Sequence, residues 1–279
     1  MNTKKIRVKD ILAYAAVYIS TGLTVLLLAG IIIYILFRGI GAVTPTFLTS
    51  VTSVLRGTVG IAGNIINTLY IVLISMVIAT PIGIGSAIYL NEYAKPGRLV
   101  TVIEFATETL SGIPSIIFGL FGMLFFGETL GFGYSIITGS LTLILMVLPM
   151  ITRNTQEALK TVPDSYRSGA IGLGAGKWHM IRTVLLPSAI PGIMTGIVLS
   201  VGRIVSESAA LLFTAGSSKK IAENIFHSGG SMTVQLYLSA TSEGDFETAF
   251  GIAVVLLVLV LIINQVTKIF ARKLDNTRK

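Results

Sequence analysis

Residues 65–90, IINTLYIVLISMVIATPIGIGSAIYL, run for 26 positions without an Asp, Glu, Lys or Arg. A bilayer core about 30 Å thick is crossed by a helix of roughly 20 apolar residues, so this stretch is long enough to span a membrane. Lipid offers no hydrogen-bond partner to backbone N–H and C=O groups, which forces such a run to bond within itself as a helix. Five further stretches meet the same standard, near residues 11–37, 99–126, 134–152, 188–215 and 246–270. Glu104 and Glu108 interrupt the third of the six spans, and Arg203 and Glu207 the fifth. A transmembrane β-barrel is excluded, because its strands alternate and give no continuous apolar runs. The reading is an all-α polytopic membrane protein with six transmembrane helices in one domain covering residues 1–279.

Composition agrees. Of 279 residues, 53% are hydrophobic and 12% charged, about half the charged share of ordinary globular chains, and mean hydropathy is +0.83. Disordered, collagenous, coiled-coil and small secreted classes are thereby excluded. With no Cys there is no disulfide, thiolate metal site, iron–sulfur cluster or catalytic thiol. His179 and His227 leave little for metal or acid–base chemistry.

Lys4, Lys5, Arg7 and Lys9 precede the first apolar run in the manner of a secretory signal. A signal's apolar region is only about 7–15 residues, and this run continues to Phe37, so an uncleaved first span is expected. Cytoplasmic segments carry the excess of Lys and Arg. Placing the N-terminus inside puts those four, Lys95, Arg98, the five cations from Arg153 to Arg182 and the five from Lys268 to Lys279 on the cytoplasmic face. Arg38, Arg56, Lys219 and Lys220 are left outside, and Arg203 lies within a span. Both termini are therefore expected in the cytoplasm. The net charge of +8 is then a topogenic signal and a contact with anionic lipid, with no nucleic acid invoked.

The cytoplasmic stretch 153–187 is long for a connection in such a chain. Its start reads as a helical exit from the fourth span, broken at Pro163, with Asp164 or Ser165 able to cap a second helix. Gly172, Gly174 and Gly176 suggest a sharp turn, and 177–186 reads again as a short helix before Pro187 and Pro191. Ile171 to Trp178 mimics a phosphate-binding loop, but Ile171 stands where Gly is needed and Trp178 where Ser or Thr is needed. The dinucleotide spacing fails as well, and no strand precedes it.

Within this stretch, Ser168-Gly169-Ala170, then Gly174, then Val184-Leu185-Leu186-Pro187 resembles the EAA loop of ABC-importer permeases. Ala170, Gly174, Leu186 and Pro187 match at the family's spacing, while Ser168 replaces its Glu and Gly169 an Ala. Four other segments (Ala87 to Ala94, Gly112 to Gly119, Val162 to Arg167 and Gly202 to Gly216) resemble the PstA family of phosphate-importer permeases. That resemblance implies a type I ABC-importer permease that passes inorganic phosphate inward by alternating access in a bacterial plasma membrane. It implies three partners besides lipid: a second permease that is PstC-like, a PstB-like ATP-binding dimer and a PstS-like extracytoplasmic phosphate-binding protein. ATP and magnesium are expected on the partner ATPase, with no cofactor or metal on this chain. An importer for another oxyanion or small solute is the alternative.

The resemblance makes 153–187 a coupling loop docked in an ATPase groove, carried by Ser168, Gly169, Ala170, Gly174, Trp178, Leu186 and Pro187. Trp178, the only Trp, is the candidate anchor, with Tyr166, Met180 and Ile181 around it. On residue type alone it equally suits the headgroup belt. Arg203 lies about 22 Å along its helix from Ser188, near mid-span, and shares a face with Glu207 one turn on. Two readings follow from the chemistry: a self-neutralising structural ion pair, or a cation on the solute pathway whose guanidinium fork fits phosphate. Ser206 and Ser115 are the candidate hydroxyls of that pathway. Gly112-Ile113-Pro114-Ser115 implies either a packing kink or a broken helix lining a polar cavity. Glu104 and Glu108 are expected at the inner mouth or against a partner. Small residues such as Gly83, Gly85, Gly119, Gly122, Gly192 and Gly196 suit close helix packing. Glu243, Asp245 and Glu247 read as a solvated outer loop end. A membrane-embedded enzyme would need a nucleophile–base pair or metal ligands inside the spans, which this inventory does not supply. A structural scaffold would have no use for charges at mid-span.

Overall fold

The computed structural model describes residues 8–53 and 57–276. The cationic positions Lys4, Lys5, Arg7, Arg56, Arg278 and Lys279 lie outside the described residues. Among the described residues, five helices are long and apolar enough to cross a membrane, and a sixth crossing is made if one sharply bent pair counts as a span.

The chain begins with α1 (Val8–Gly39), whose apolar window is wholly exposed. A single-turn helix α2 (Pro45–Thr49) follows, capped by the Thr44 hydroxyl accepting from Phe47 N. A short antiparallel ladder, β1 (Val51–Ser53) with β2 (Thr58–Ile61), was not anticipated from the sequence. It leads into α3 (Ala62–Ile88), whose last turn widens into a π-helical turn at Tyr89–Tyr93. Next come α4 (Arg98–Gly112) and α5 (Ser115–Gly122), the latter extended by a π-helical stretch to Thr129.

Helix α6 (Ile136–Lys160) is the centre of the bundle. Its N-terminus is capped by Ser135, whose hydroxyl accepts from Thr138 N. It lies between α3 and α9 (Leu186–Val205), and Leu143, Val147 and Ile151 on its faces are fully buried with Ile71, Ala79 and Ile204. Close approach depends on glycine. A Cβ on Gly83 would meet Ile151, one on Gly192 would meet Ala158, and one on Gly196 would meet Asn154. Between α6 and α9 lie α7 (Asp164–Gly172) and α8 (Lys177–Met180). After α9 come α10 (Ala209–Thr214), α11 (Met232–Thr241) and α12 (Phe246–Asn276).

Two expected spans depart from straight helices. The third, over 99–126, is bent by 103° between α4 and α5. Pro114 cannot donate a backbone hydrogen bond and clashes with the preceding turn, and Ile113 is extended at φ −73°, ψ 131°. The fifth, expected over 188–215, is helical from Lys177 and ends at Val205, with α10 as a separate segment after a break at 206–208. Its early start removes the second short loop helix. A π-helical turn at Ile181–Leu185 joins α8 directly to α9, so Pro187 lies just after that turn inside one continuous helix from Lys177 to Val205.

The segment 217–231 is held against the end of α3 that carries Asn64, Asn67 and Thr68. Asn67 donates to Lys220 O at 2.9 Å and accepts from Ala222 N at 3.0 Å. Asn64 donates to Gly230 O at 3.0 Å, and the Thr68 hydroxyl accepts from Met232 N at 2.9 Å. The same segment is tied to the α11–α12 junction by Lys219, whose Nζ lies 2.7 Å from Glu243 Oε1. That hydrogen bond holds the Glu243 carboxyl below the ordinary value of 4.5. Hydrogen bonds from Thr248 likewise lower Asp245 below 3.8. A carboxyl whose folded value is depressed stabilises the fold above its unfolded value and loses that contribution as pH falls through the folded one. Lys219→Met is therefore expected to lower the thermal midpoint of the detergent-purified chain at pH 7. The gap between variant and wild type is expected to close as pH drops below 4.5.

Candidate functional site

The antiparallel register of α6 and α9 sets the height of Arg203. Gly192 lies beside Ala158 and Gly196 beside Asn154, which extrapolates to Arg203 beside Val147, the middle of α6. Just above, the helix stops. Glu207 fixes the break: its carboxylate is buried, with Oε1 accepting from Ala210 N at 3.1 Å, and its carbonyl accepts from the Thr233 hydroxyl at 2.7 Å. The backbone groups freed by the break thus find partners inside the protein, as hydrocarbon requires.

Arg203 Nη2 lies 3.7 Å from Glu207 Oε2, and the two side chains differ sharply in exposure, 47% against 5%. At that separation the pair is electrostatic rather than hydrogen-bonded. Among the described residues the Arg203 guanidinium donates no hydrogen bond. Its surroundings are polar for a membrane helix. Ser188, Pro191, Thr195, Leu199, Arg203 and Ser206 form an exposed stripe at helical spacing along α9. The three hydroxyls each bond back to their own helix, Ser188 to Val184 O, Thr195 to Pro191 O and Ser206 to Arg203 O. Ser206 is thus brought beside Arg203. Ser115 stands in the first turn of α5, directly after the bend. Four residues on, Gly119 packs so tightly on α10 that a Cβ there would lie 2.8 Å from Ala210 Cα.

Glu104 and Glu108 face α6 across a cleft of about 250 Å³ also lined by Arg153, Gln156, Glu157 and Lys160. Both carboxylates therefore lie at the loop end of α6.

The stretch 161–186 forms a compact projection. α7 ends in a turn made possible by Gly174 at φ +80°, a conformation that disfavours any other residue. Ala175 N donates to Ala170 O, closing that turn over the Ala170–Gly174 spacing. Ser168 and Gly169 are exposed on α7, and the Ser168 hydroxyl bonds back to Asp164 O. Trp178 is 59% exposed, and Leu173, the most exposed large apolar residue among those described, is 92% exposed. Tyr166 and Ile171 are exposed with them. Met180 and Ile181, expected around Trp178, instead point inward and are buried with Leu159, Val162 and Leu185, with Leu186 packed against them. The projection has an apolar tip and a separate apolar root.

Sequence reading missed what fastens that root. Arg167 Nη2 lies 3.0 Å from Glu92 Oε1, with side-chain exposures of 20% and 6%. The same guanidinium donates to Leu159 O, Val162 O and Asp164 Oδ1. Next to Glu92, the Tyr93 ring carries Lys177 Nζ at 4.9 Å from its centroid. Glu92 and Arg167 are 75 residues apart, so no local spacing announces the pair.

Residues 79–276 match the family described as binding-protein-dependent transport system inner membrane component. The chain belongs to that family. It is 38% identical over 210 residues to "Probable ABC transporter permease protein YqgI" of Bacillus subtilis, covering 75% of this chain and 71% of that one. It is 34% identical over 271 residues to "Phosphate transport system permease protein PstA 1" of Mycobacterium tuberculosis, covering 94% and 88%. Among solved structures, a chain of a bacterial alginate ABC transporter in complex with its alginate pentasaccharide-bound periplasmic protein aligns with a TM-score of 0.72 at 15% identity, over 96% of each chain. A chain of the inward-facing MetNI methionine ABC transporter aligns with a TM-score of 0.62 at 19% identity, over 75% and 93%. These two likenesses concern the fold, that of type I ABC-importer permeases. This inner membrane component is thus a multi-pass plasma-membrane permease, a transport component whose family works with a binding protein and an ATPase.

The break predicts a separation of Glu207's two roles. Glu207→Gln keeps an acceptor for Ala210 N and is expected to unfold within a few degrees of wild type in detergent. Glu207→Ala leaves that buried N–H without a partner, at about 1–3 kcal/mol, and is expected to lower the thermal midpoint clearly more than Gln does.

Proposed function

We propose that this inner membrane component is the PstA-type subunit through which an ATP-driven importer passes inorganic phosphate into the cytoplasm. The supporting observation is Arg203. A half-exposed guanidinium stands in the last turn of α9, level with the middle of α6, beside one carboxylate and, among the described residues, with its donors free of hydrogen bonds. Intramembrane ionisable groups are costly and line solute pathways or pair with one another. This one does both. Glu207 Oε2 balances the Arg203 charge at 3.7 Å, while Oε1 is engaged by Ala210 N and the Thr233 hydroxyl engages its carbonyl. The planar fork of the guanidinium then matches two phosphate oxygens, with Ser206, and Ser115 from α5, completing the pathway with hydroxyls. The relatives named as phosphate transport permeases support the substrate.

In this proposal the chain carries no cofactor, and ATP and magnesium sit on a PstB-like dimer. A PstC-like permease forms the other half of the path, and a PstS-like protein delivers phosphate outside. The cation distribution puts both termini in the cytoplasm, with the 153–187 loop on the same side. There Ser168, Gly169, Ala170 and Gly174 shape the coupling turn, Trp178 and Leu173 enter the ATPase groove, and Leu186 and Pro187 lead movement into α9. Closure of the ATPase pair on ATP would pull this loop and turn the cavity outward.

The test is uptake of labelled phosphate at low external concentration, in cells lacking this chain and in cells supplied with it or its variants. Wild type is expected to restore phosphate uptake and leave sulfate and molybdate unchanged. Arg203→Ala is expected to lower the restored uptake by about tenfold or more, on the scale of a lost charge-assisted contact, and Arg203→Lys to lie between. Wild-type uptake by Arg203→Ala would remove Arg203 from the pathway. Loss and rescue of another label instead would withdraw phosphate while retaining the importer.

A further inference from the structure

We propose that Glu92 and Tyr93 are positioning residues that turn α3 into a rod carrying movement from the coupling loop to the segment 217–231. The inference rests on the reading of 153–187 as the ATPase contact. The two residues are neighbours on the π-helical turn that ends α3, and each holds a different arm of the loop. Glu92 takes Arg167 of α7, at 3.0 Å and largely out of solvent. Tyr93 takes Lys177 of α8 on its ring face. The two arms are separated by the Gly174 turn and carry Leu173 and Trp178 at the tip. A displacement of the tip therefore acts on α3 through both grips, besides acting on α9 through the continuous helix.

The other end of α3 is bonded just as firmly. Asn64, Asn67 and Thr68 make four hydrogen bonds to backbone groups of Lys220, Ala222, Gly230 and Met232. Asn67 and Glu92 are about 38 Å apart along a helix rising 1.5 Å per residue. The held segment in turn accepts hydrogen bonds from the first turn of α6, Ile136 N to His227 O and Ile137 N to Ile225 O. Through Thr233, in the first turn of α11 that follows it, the segment also reaches the carbonyl of Glu207 at the α9 break. One helix, continuous from Ala62 to Tyr93 with Pro81 inside it, thus joins the loop face to the groups that set the Arg203 site.

The experiment uses the whole transporter in proteoliposomes: both permease chains, the ATPase dimer and phosphate-loaded binding protein. Phosphate taken up and ATP hydrolysed are measured together. Tyr93→Phe retains the ring and is expected to match wild type. Tyr93→Leu, Glu92→Gln and, at the far end, Asn67→Ala are expected to retain the ATPase subunits while phosphate moved per ATP falls by about fivefold or more, the lower end of a coupling between sites. An unchanged ratio in both Tyr93→Leu and Asn67→Ala would overturn the rod. So would loss of the ATPase subunits from Tyr93→Leu, since that residue would then support docking alone. If Glu92→Gln fails to assemble, the comparison of Tyr93→Leu with Tyr93→Phe decides. A wild-type complex that hydrolyses ATP but moves no phosphate would instead defeat the substrate reading.

Discussion

In hydrocarbon a backbone N–H or C=O without a partner costs several kcal/mol, and the shape of this protein follows from where that rule is obeyed by helix and where by side chains. Over most of its length the chain satisfies it with uninterrupted helices. At 206–208 it does not, and Glu207 and Thr233 supply the missing partners. Irregular backbone at membrane depth is tolerated where it is buried in protein or lines a cavity. Here the irregular backbone is buried in protein at Glu207, while Arg203 and Ser206 beside it are exposed on the stripe.

That arrangement assigns different work to the two charges. Glu207 is chiefly architectural, a carboxylate committed to a backbone N–H. Arg203 is held near it at 3.7 Å without being consumed, so its charge is balanced while its donors remain free. In the proposed function, the structural ion pair and the pathway cation, which residue chemistry alone left side by side, are two aspects of one arrangement. Below it, the loop divides its apolar residues between a root buried with Leu159 and Leu185 and an exposed tip at Leu173 and Trp178.

The apolar runs were legible because length and absence of charge are local properties. The bend at Pro114 was legible as a kink, since proline acts locally, although its 103° was not. The break at 206–208 carries no proline or glycine, and Ser206-Glu207-Ser208 reads as ordinary helix until Thr233 arrives from elsewhere in the chain. Met180 and Ile181 likewise looked like tip residues beside Trp178, but they are buried with Leu159, Val162 and Leu185, contacts made only on folding. Glu92 and Arg167 meet only after folding. Local properties of the chain were readable, and contacts between distant side chains were not.

The central claim is that the Ser188–Ser206 stripe of α9 lines an aqueous path. The chain contains no Cys, so single cysteines placed at Thr195, Leu199 and Ser206, with Ile204 as a buried control, can be probed by a membrane-impermeant thiol reagent in the assembled transporter. The account predicts labelling at the three stripe positions, slowed by phosphate at Ser206, and none at Ile204. Stripe positions as unreactive as Ile204 in every nucleotide state would contradict it.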